Sequence, residues 1–387
     1  MKISTTAFES SVKRVARGAA PVTKKKMDQG REMVVELWKS AIRITFSIED
    51  SCLYLFATNG DVFAYDKIDV ELTDKDKDNF IVYLYPLHLL EHLSLSNGSV
   101  EFYKYREGVR LMPSEKQKFY LHTHYWMGEY FDGYKTEYEI PQSFSLKINA
   151  MLLKDALRFT TYVTSKETIK TKAVVIENVE GQLCFGATDG WRLALAEGVM
   201  PVDAPMKYIV YKELITTLEN MIAYEDVDIS LYFTDNMLYF RDIDFFAGVL
   251  LGTDAYDIWD NVQGFPVRNI VFEPDVEMLK RALHISEHFA VNGAGYISLK
   301  LENDTGVMKA ESNEIGNTLW KISSAKNVDE PFSIKFNPRA IMEYLSHTNT
   351  KKVSINFSSP RTAFSVIGDD PDKMLIVMPV HTSDDNM

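Results

Sequence analysis

Few residues in this chain are spaced for chemistry. His122-Thr123-His124 puts two imidazoles at alternate positions of a strand beside Tyr125-Trp126, a spacing that metal ligands can share but that ordinary surface positions share more often. Asp242-Ile243-Asp244 and Asp257-Ile258-Trp259-Asp260 pair carboxylates without a nearby base or Gly pattern, and solvated loops account for them better. Asn292-Gly293-Ala294-Gly295 reads as a turn leading into a strand, not a nucleotide site. There is no phosphate-cradling Gly-rich loop with a Lys, no His-Glu-x-x-His and no Gly-x-Ser-x-Gly. Two cysteines, Cys52 and Cys184, are too few for a disulfide framework or a metal site, and Cys184 sits in an apolar alternation that suits a small core residue. The expectation is therefore a binding protein: no catalytic residue, no metal, no cofactor, no small-molecule substrate. A hydrolase using His122 or His124 is the distant alternative.

Composition limits what it binds. The chain has 387 residues, 46% hydrophobic and 12% aromatic, which predicts two or three packed domains and excludes disorder for most of its length. The formal charge of −13 argues against coating nucleic acid with the whole surface, though it leaves room for a local basic track. Met1-Lys2-Ile3-Ser4-Thr5-Thr6 has no apolar core of a signal peptide, and no run approaches a membrane span. With so little cysteine, the chain reads as intracellular, reduced and cytoplasmic.

The elements that would position a binding surface repeat. Tyr85-Pro86-Leu87-His88-Leu89-Leu90-Glu91-His92-Leu93 is echoed by Asn337-Pro338-Arg339-Ala340-Ile341-Met342-Glu343-Tyr344-Leu345, and more loosely by Val210-Tyr211-Lys212-Glu213-Leu214-Ile215-Thr216-Thr217-Leu218. In each, an alternating strand feeds a short amphipathic helix, and successive copies lie about 125 residues apart. A second type of helix precedes each copy, over residues 6–17, 149–160 and 275–286, the last with Asp275 as N-cap. Alternating strands such as 227–233, 237–241, 296–301 and 353–357 fill the intervals. The first repeat is longer, and the polar stretches 24–31 and 73–79 read as solvated loops that hold its extra residues. Three α+β domains follow, with boundaries 1–144, 145–270 and 271–387, each two helices on antiparallel sheet. The six helices carry nearly equal numbers of basic and acidic residues, so the acidity lies on the rest of the chain.

One hairpin carries more than turn chemistry. Around Asp189-Gly190, apolar residues alternate on both sides, as in two half-buried strands joined by a tight two-residue turn. The wider string Ala187-Thr188-Asp189-Gly190-Trp191-Arg192-Leu193-Ala194 resembles the Ala-Thr-Asp-Gly-x-Arg-Leu-Ala hairpin of bacterial DNA polymerase III beta subunits, the sliding clamps. Leu375-Ile376-Val377-Met378-Pro379-Val380 is similar to the strand with which clamps finish. The resemblance runs from about residue 145 to the end and is weaker before it.

That resemblance implies a homodimeric ring of six pseudo-equivalent domains, helices lining the hole and sheets forming the outer wall, that encircles double-stranded DNA. It implies a non-enzymatic processivity factor of DNA replication that tethers a replicative DNA polymerase and is placed by a clamp loader, with no membrane partner. A clamp-like platform for transcription or repair proteins is the runner-up. By position, the cleft for partner peptides would have Thr188, Gly190, Trp191, Arg192 and Leu193 on one wall and Ile376, Met378, Pro379 and Val380 on the other. On local pattern alone, Leu193 and Ile376 fit a core better. DNA-facing residues would be Arg17, Lys24, Lys25, Lys26, Lys170 and Lys172, for which a solvated face is the alternative. Phe119 and Leu121 on a first-domain edge strand would meet the region of Ile285 in a second chain. Departures are present too. His381-Thr382-Ser383-Asp384-Asp385-Asn386-Met387 replaces the usual ending, and Gly252-Thr253-Asp254-Ala255-Tyr256-Asp257-Ile258-Trp259 replaces a familiar linker segment, which leaves the linker side of the cleft unassigned. The drift suggests a divergent clamp of the kind a phage encodes.

Overall fold

The structure, a computed structural model, describes residues 1–19, 38–96, 98–114, 117–131, 144–165, 167–222, 226–242, 245–259, 269–293 and 295–382. Lys24, Lys25, Lys26 and residues 383–387 lie outside them. The described residues form seven α-helices and four antiparallel sheets, an α+β architecture. They divide into two compact units, one of residues 1–151 with 213–251, the other of residues 152–212 with 252–387.

In the first unit, a four-stranded sheet runs in the order Lys2–Ser4, Ser99–Tyr105, Gly108–Ser114, Gln117–His122. An eight-stranded sheet runs Phe80–Leu84, Ile42–Ser47, Cys52–Thr58, Val62–Asp69, Phe245–Leu250, Met237–Asp242, Asp228–Phe233, Phe144–Asn149. The join between Val62–Asp69 and Phe245–Leu250 is antiparallel, with Ala64 opposite Ala247. Helix Thr5–Val15 starts where Ser4 accepts a hydrogen bond from the Ala7 N–H at 3.4 Å. It buries Phe8, Val12 and Val15, a stripe at helical spacing. Most of the stretch 73–79 is exposed, as expected of a solvated loop, but within it the Asp76 side chain is only 2% exposed and holds the Met1 ammonium at 2.6 Å. Asp242 ends a strand and pairs with Arg14 at 2.9 Å, while Ile243 and Asp244 lie outside the described residues. A nearby unlike charge makes burial of a carboxylate tolerable.

The second unit holds a nine-stranded sheet in the order Lys207–Tyr211, Ala173–Val179, Gln182–Thr188, Arg192–Pro201, Lys373–Val377, Phe364–Ile367, Ser354–Phe357, Ile270–Phe272, Ala325–Lys326. The expected hairpin and the expected final strand are therefore neighbours, with Arg192 opposite Val377 and Leu193 opposite Ile376. A four-stranded sheet runs Gly316–Ser323, Thr305–Ser312, Ile297–Glu302, Phe332–Phe336. Helix Val276–Val291 has Asp275 as its N-cap, accepting from Met278 N at 2.8 Å, and runs five residues past the predicted end at 286. Helix Pro338–Thr348 has Asn337 as N-cap, Pro at its first position and Asn349 in the left-handed region at φ 52° as its stop. Its buried face, Ile341, Tyr344 and Leu345, holds it down, and full burial of one such side chain is worth roughly 1.5–3 kcal/mol.

Candidate docking cleft

The hairpin tip is wider than the two-residue turn expected at Asp189-Gly190. The strands end at Thr188 and resume at Arg192, which leaves residues 189–191 as the loop, closed by the Asp189 N–H donating to the Arg192 carbonyl at 3.3 Å, and only Gly190 takes a positive φ, +93°. Asp189 explains the widening. Its Oδ1 accepts the N–H of both Trp191 and Arg192 at 2.9 Å, which curls the chain back on itself. Thr188 donates its hydroxyl to the Arg192 carbonyl at 2.7 Å and accepts from Gly190 N at 3.0 Å. Both residues thus build the turn. With its own backbone locked in this way, Trp191 projects from the tip and is 71% exposed.

Period-two alternation then separates the expected cleft residues between two faces of the sheet. Leu193 and Ile376 point one way, into a core with Cys184, Leu195, Ile258 and Trp259. Ile376 is buried in that cluster on the face away from the cleft, so it does not line it, and Leu193 packs against the same cluster. The segment whose role the sequence left open ends here: Ile258 and Trp259 cover this face, with Ile258 against the spot where Gly186 carries no side chain. Arg192 and Val377 point the other way, toward helix Pro338–Thr348.

On that second face lies a cavity of about 790 Å³. Its apolar lining includes Trp191, Val377, Met378, Pro379 and Val380, with Ala340 from the helix. Met378 is 43% exposed, and its N–H donates to the Trp191 carbonyl at 2.9 Å, which ties the two walls together. The floor is ionic. Arg192 bonds Asp189 through Nε at 3.0 Å and Glu343 through Nη1 at 2.6 Å, while Arg339 holds the second oxygen of Glu343 at 2.8 Å. Arg192 also lies 5.6 Å over the ring of Tyr162, which stacks on His347 at 4.4 Å. Burial pulls the Arg192 guanidinium toward neutrality, but its two carboxylate partners overcome this and keep it charged. Burial likewise pushes the Glu343 carboxyl up, and Arg192 and Arg339 more than reverse that, holding it below the usual carboxylate range. Burial lowers the His347 imidazole and raises the Tyr162 hydroxyl. The cleft is thus an apolar trough over a self-neutralised polar floor, suited to an apolar peptide anchor.

Sequence reading missed Asp189, Gly295, Asn337, Arg339, Ala340, Glu343, Val377 and His381 at this site. The i,i+4 pair Arg339 and Glu343 sat in a segment recognised only as a repeat, and the one available signal was the charge match with Arg192.

The other expected site residues are placed as follows. Arg17 is exposed in the short 3-10 turn Ala16–Gly18. Lys170 pairs with Asp254 at 3.7 Å and lies 5.8 Å from the Tyr256 ring; Lys172 is half-buried. Phe119 and Leu121 lie on Gln117–His122, the edge strand of the four-stranded sheet of the first unit, and Phe119 stacks on His92 at 4.4 Å. Ile285 is 40% exposed on Val276–Val291. His122 and His124 pack against Tyr120 and Tyr85. Among the described residues no helix is long and apolar enough to cross a membrane.

No family model matches the chain. Curated relatives do. The beta sliding clamp of Streptococcus pneumoniae is 24% identical over 303 residues, covering 75% of this chain and 77% of that one. The beta sliding clamp of Lactococcus lactis is 22% identical over 239 residues, 59% of this chain and 62% of its own. Among solved structures, the DNA polymerase III beta subunit of Thermotoga maritima superposes with a TM-score of 0.82 at 15% identity, covering 99% of both chains. The DNA polymerase sliding clamp of Pseudomonas aeruginosa gives 0.81 at 16% identity, again over 99% of both. The fold is the beta-clamp fold. In sequence the chain is similar to bacterial beta sliding clamps, and in fold to solved beta subunits of DNA polymerase III.

Proposed function

We propose that the chain is a DNA sliding clamp, a processivity factor that works without catalysis. Its three tandem domains, 1–144, 145–270 and 271–387, pair with those of a second copy to close a six-domain ring around duplex DNA. The observation that carries this reading is the fold correspondence along 99% of the chain, which extends the likeness to the first 145 residues, where sequence motifs are weak. Enclosure also reconciles a formal charge of −13 with residence on DNA, because a closed ring stays on by topology and needs few phosphate contacts. Those contacts fall to Arg17, Lys24, Lys25, Lys26, Lys170 and Lys172. Of these, Lys170 must first leave Asp254.

The cleft beside Trp191 and Met378 takes short peptides from a replicative DNA polymerase and from the clamp loader, in the cytoplasm. The seam joins the edge strand bearing Phe119 and Leu121 to the Ile285 region of the partner copy. Retention on DNA tests the reading. Loaded protein should stay on closed circular duplex far longer than on the same DNA made linear, since ends let a ring slip off. Equal dwell times on the two forms would refute enclosure.

A further inference from the structure

Helix Val276–Val291 carries a group of side chains that the docking cleft does not use. His284-Ile285-Ser286-Glu287-His288 is His-x-x-Glu-His, the reverse of the His-Glu-x-x-His order found in zinc enzymes. The physical content of the two orders is the same, because imidazoles four residues apart stand one above the other on a single helix face. Here that face is open: His284 and His288 are exposed, while Ser286 between them is fully buried. The two rings lie 5.4 Å apart from centroid to centroid, with their planes at 74°. Imidazoles bound to one zinc at roughly 2.0–2.1 Å, in tetrahedral arrangement, have centroids about 5 Å apart. The pair therefore stands close to chelating distance already. Among the described residues, the contact between the rings is the one ring or polar interaction that either imidazole makes. Glu287 follows His284 at i,i+3, which sets it beside that ring on the helix surface.

We propose that His284 and His288 chelate a divalent transition-metal ion of the zinc, nickel or copper class, each through one ring nitrogen. Imidazole nitrogen suits these ions, whereas magnesium and calcium take oxygen ligands. The Glu287 carboxylate adds negative charge next to the ion and can accept a hydrogen bond from a water bound to it. Among the described residues no group of three or more His, Cys, Asp or Glu is placed to hold a metal. Two protein ligands are fewer than the three of a catalytic zinc or the four of a structural one, so water completes the shell. The site binds; no reaction is assigned to it. It also stands apart from the clamp reading, since the pair is exposed on the chain by itself.

Isothermal titration of the full-length chain, free of any histidine tag, with zinc chloride tests the site. His284→Gln and His288→Gln should each weaken zinc binding by roughly ten- to a hundredfold, at least the loss that follows removal of a residue merely supporting a metal ligand. Both side chains are exposed, so circular dichroism should show unchanged helix content. His122→Gln should leave zinc binding as it was. Copper(II) as a second probe reports on the ligands directly: its electron paramagnetic resonance spectrum should show coupling to two nitrogens in the unaltered chain and to one in either variant. The proposal is overturned if zinc binds the unaltered chain no more tightly than the variant carrying both His284→Gln and His288→Gln. It is equally overturned if the loss follows His122→Gln instead, which would move the metal to His122 and His124.

Discussion

Replacing Trp191 with Ala isolates the cleft from the fold. The indole is 71% exposed, and the bonds that hold the hairpin at this position are made by backbone, from Trp191 N to Asp189 Oδ1 and from Met378 N to the Trp191 carbonyl, each 2.9 Å. Both survive truncation of the side chain, so folding stability should change by less than ~0.5 kcal/mol. Binding should respond far more. An indole offers roughly 150–250 Å² to a partner, and a docked peptide that covers half of the exposed part removes about 55–90 Å² from water. At about 25 cal/mol per Å², that is ~1.3–2.2 kcal/mol, or roughly a ten- to fortyfold loss of affinity. Anisotropy with a labelled peptide from the cognate polymerase measures it. Leu87→Ala serves as the control, because Leu87 is an exposed apolar residue of the other unit, at 45%, and should change nothing. The reasoning fails if Trp191→Ala melts normally and still binds the peptide as tightly as the unaltered chain.

The ionic floor should be acid-sensitive. Glu343 is held below its ordinary pKa, so its contribution is complete above the usual carboxylate range, about 4, and is lost as pH falls through the lower folded value. Thermal melts should put Glu343→Gln about 1 kcal/mol below the unaltered chain at neutral pH and bring the two curves together in acid; a constant gap refutes the linkage. Tyr162→Phe should be neutral or raise the melting temperature, since the Tyr162 hydroxyl is buried with no hydrogen-bond partner among the described residues and its removal relieves a desolvation cost of ~1–3 kcal/mol. A fall in the melting temperature by several degrees would mean that the hydroxyl is bonded. Ile285→Asp should convert a dimer of twice the 44.3 kDa chain mass to monomer in light scattering at micromolar concentration, without lowering helix content; a dimer that persists removes Ile285 from the seam.

How much of this was legible in the residues differs from element to element. The helices beginning at Pro86, Ala150, Lys212, Val276 and Pro338 were readable because capping and 3.6-residue periodicity are local properties, set by side chains within one turn of each other. Hairpin 182–201 was legible for the same reason, and the eight-residue string around Asp189 carried the likeness to clamps. Its turn was misjudged by one residue, because one Asp189 oxygen accepting two N–H groups is a matter of side-chain geometry and not of turn propensity.

The cleft was only half readable. Sequence alternation shows that Arg192 and Leu193 lie on opposite faces of a strand, but not which face is covered. Packing of Ile258 and Trp259 onto one side decided that, and made Leu193 and Ile376 core while Trp191 and Met378 stayed open. The helical wall lay further still from the sequence signal. Glu343 is 151 residues from Arg192, and no local pattern joins two charges across such a distance. Only the closure of the nine-stranded sheet, which sets Lys373–Val377 beside Arg192–Pro201, brings them to 2.6 Å. Local interactions wrote the elements into the sequence; burial, which depends on what the rest of the chain covers, chose the site.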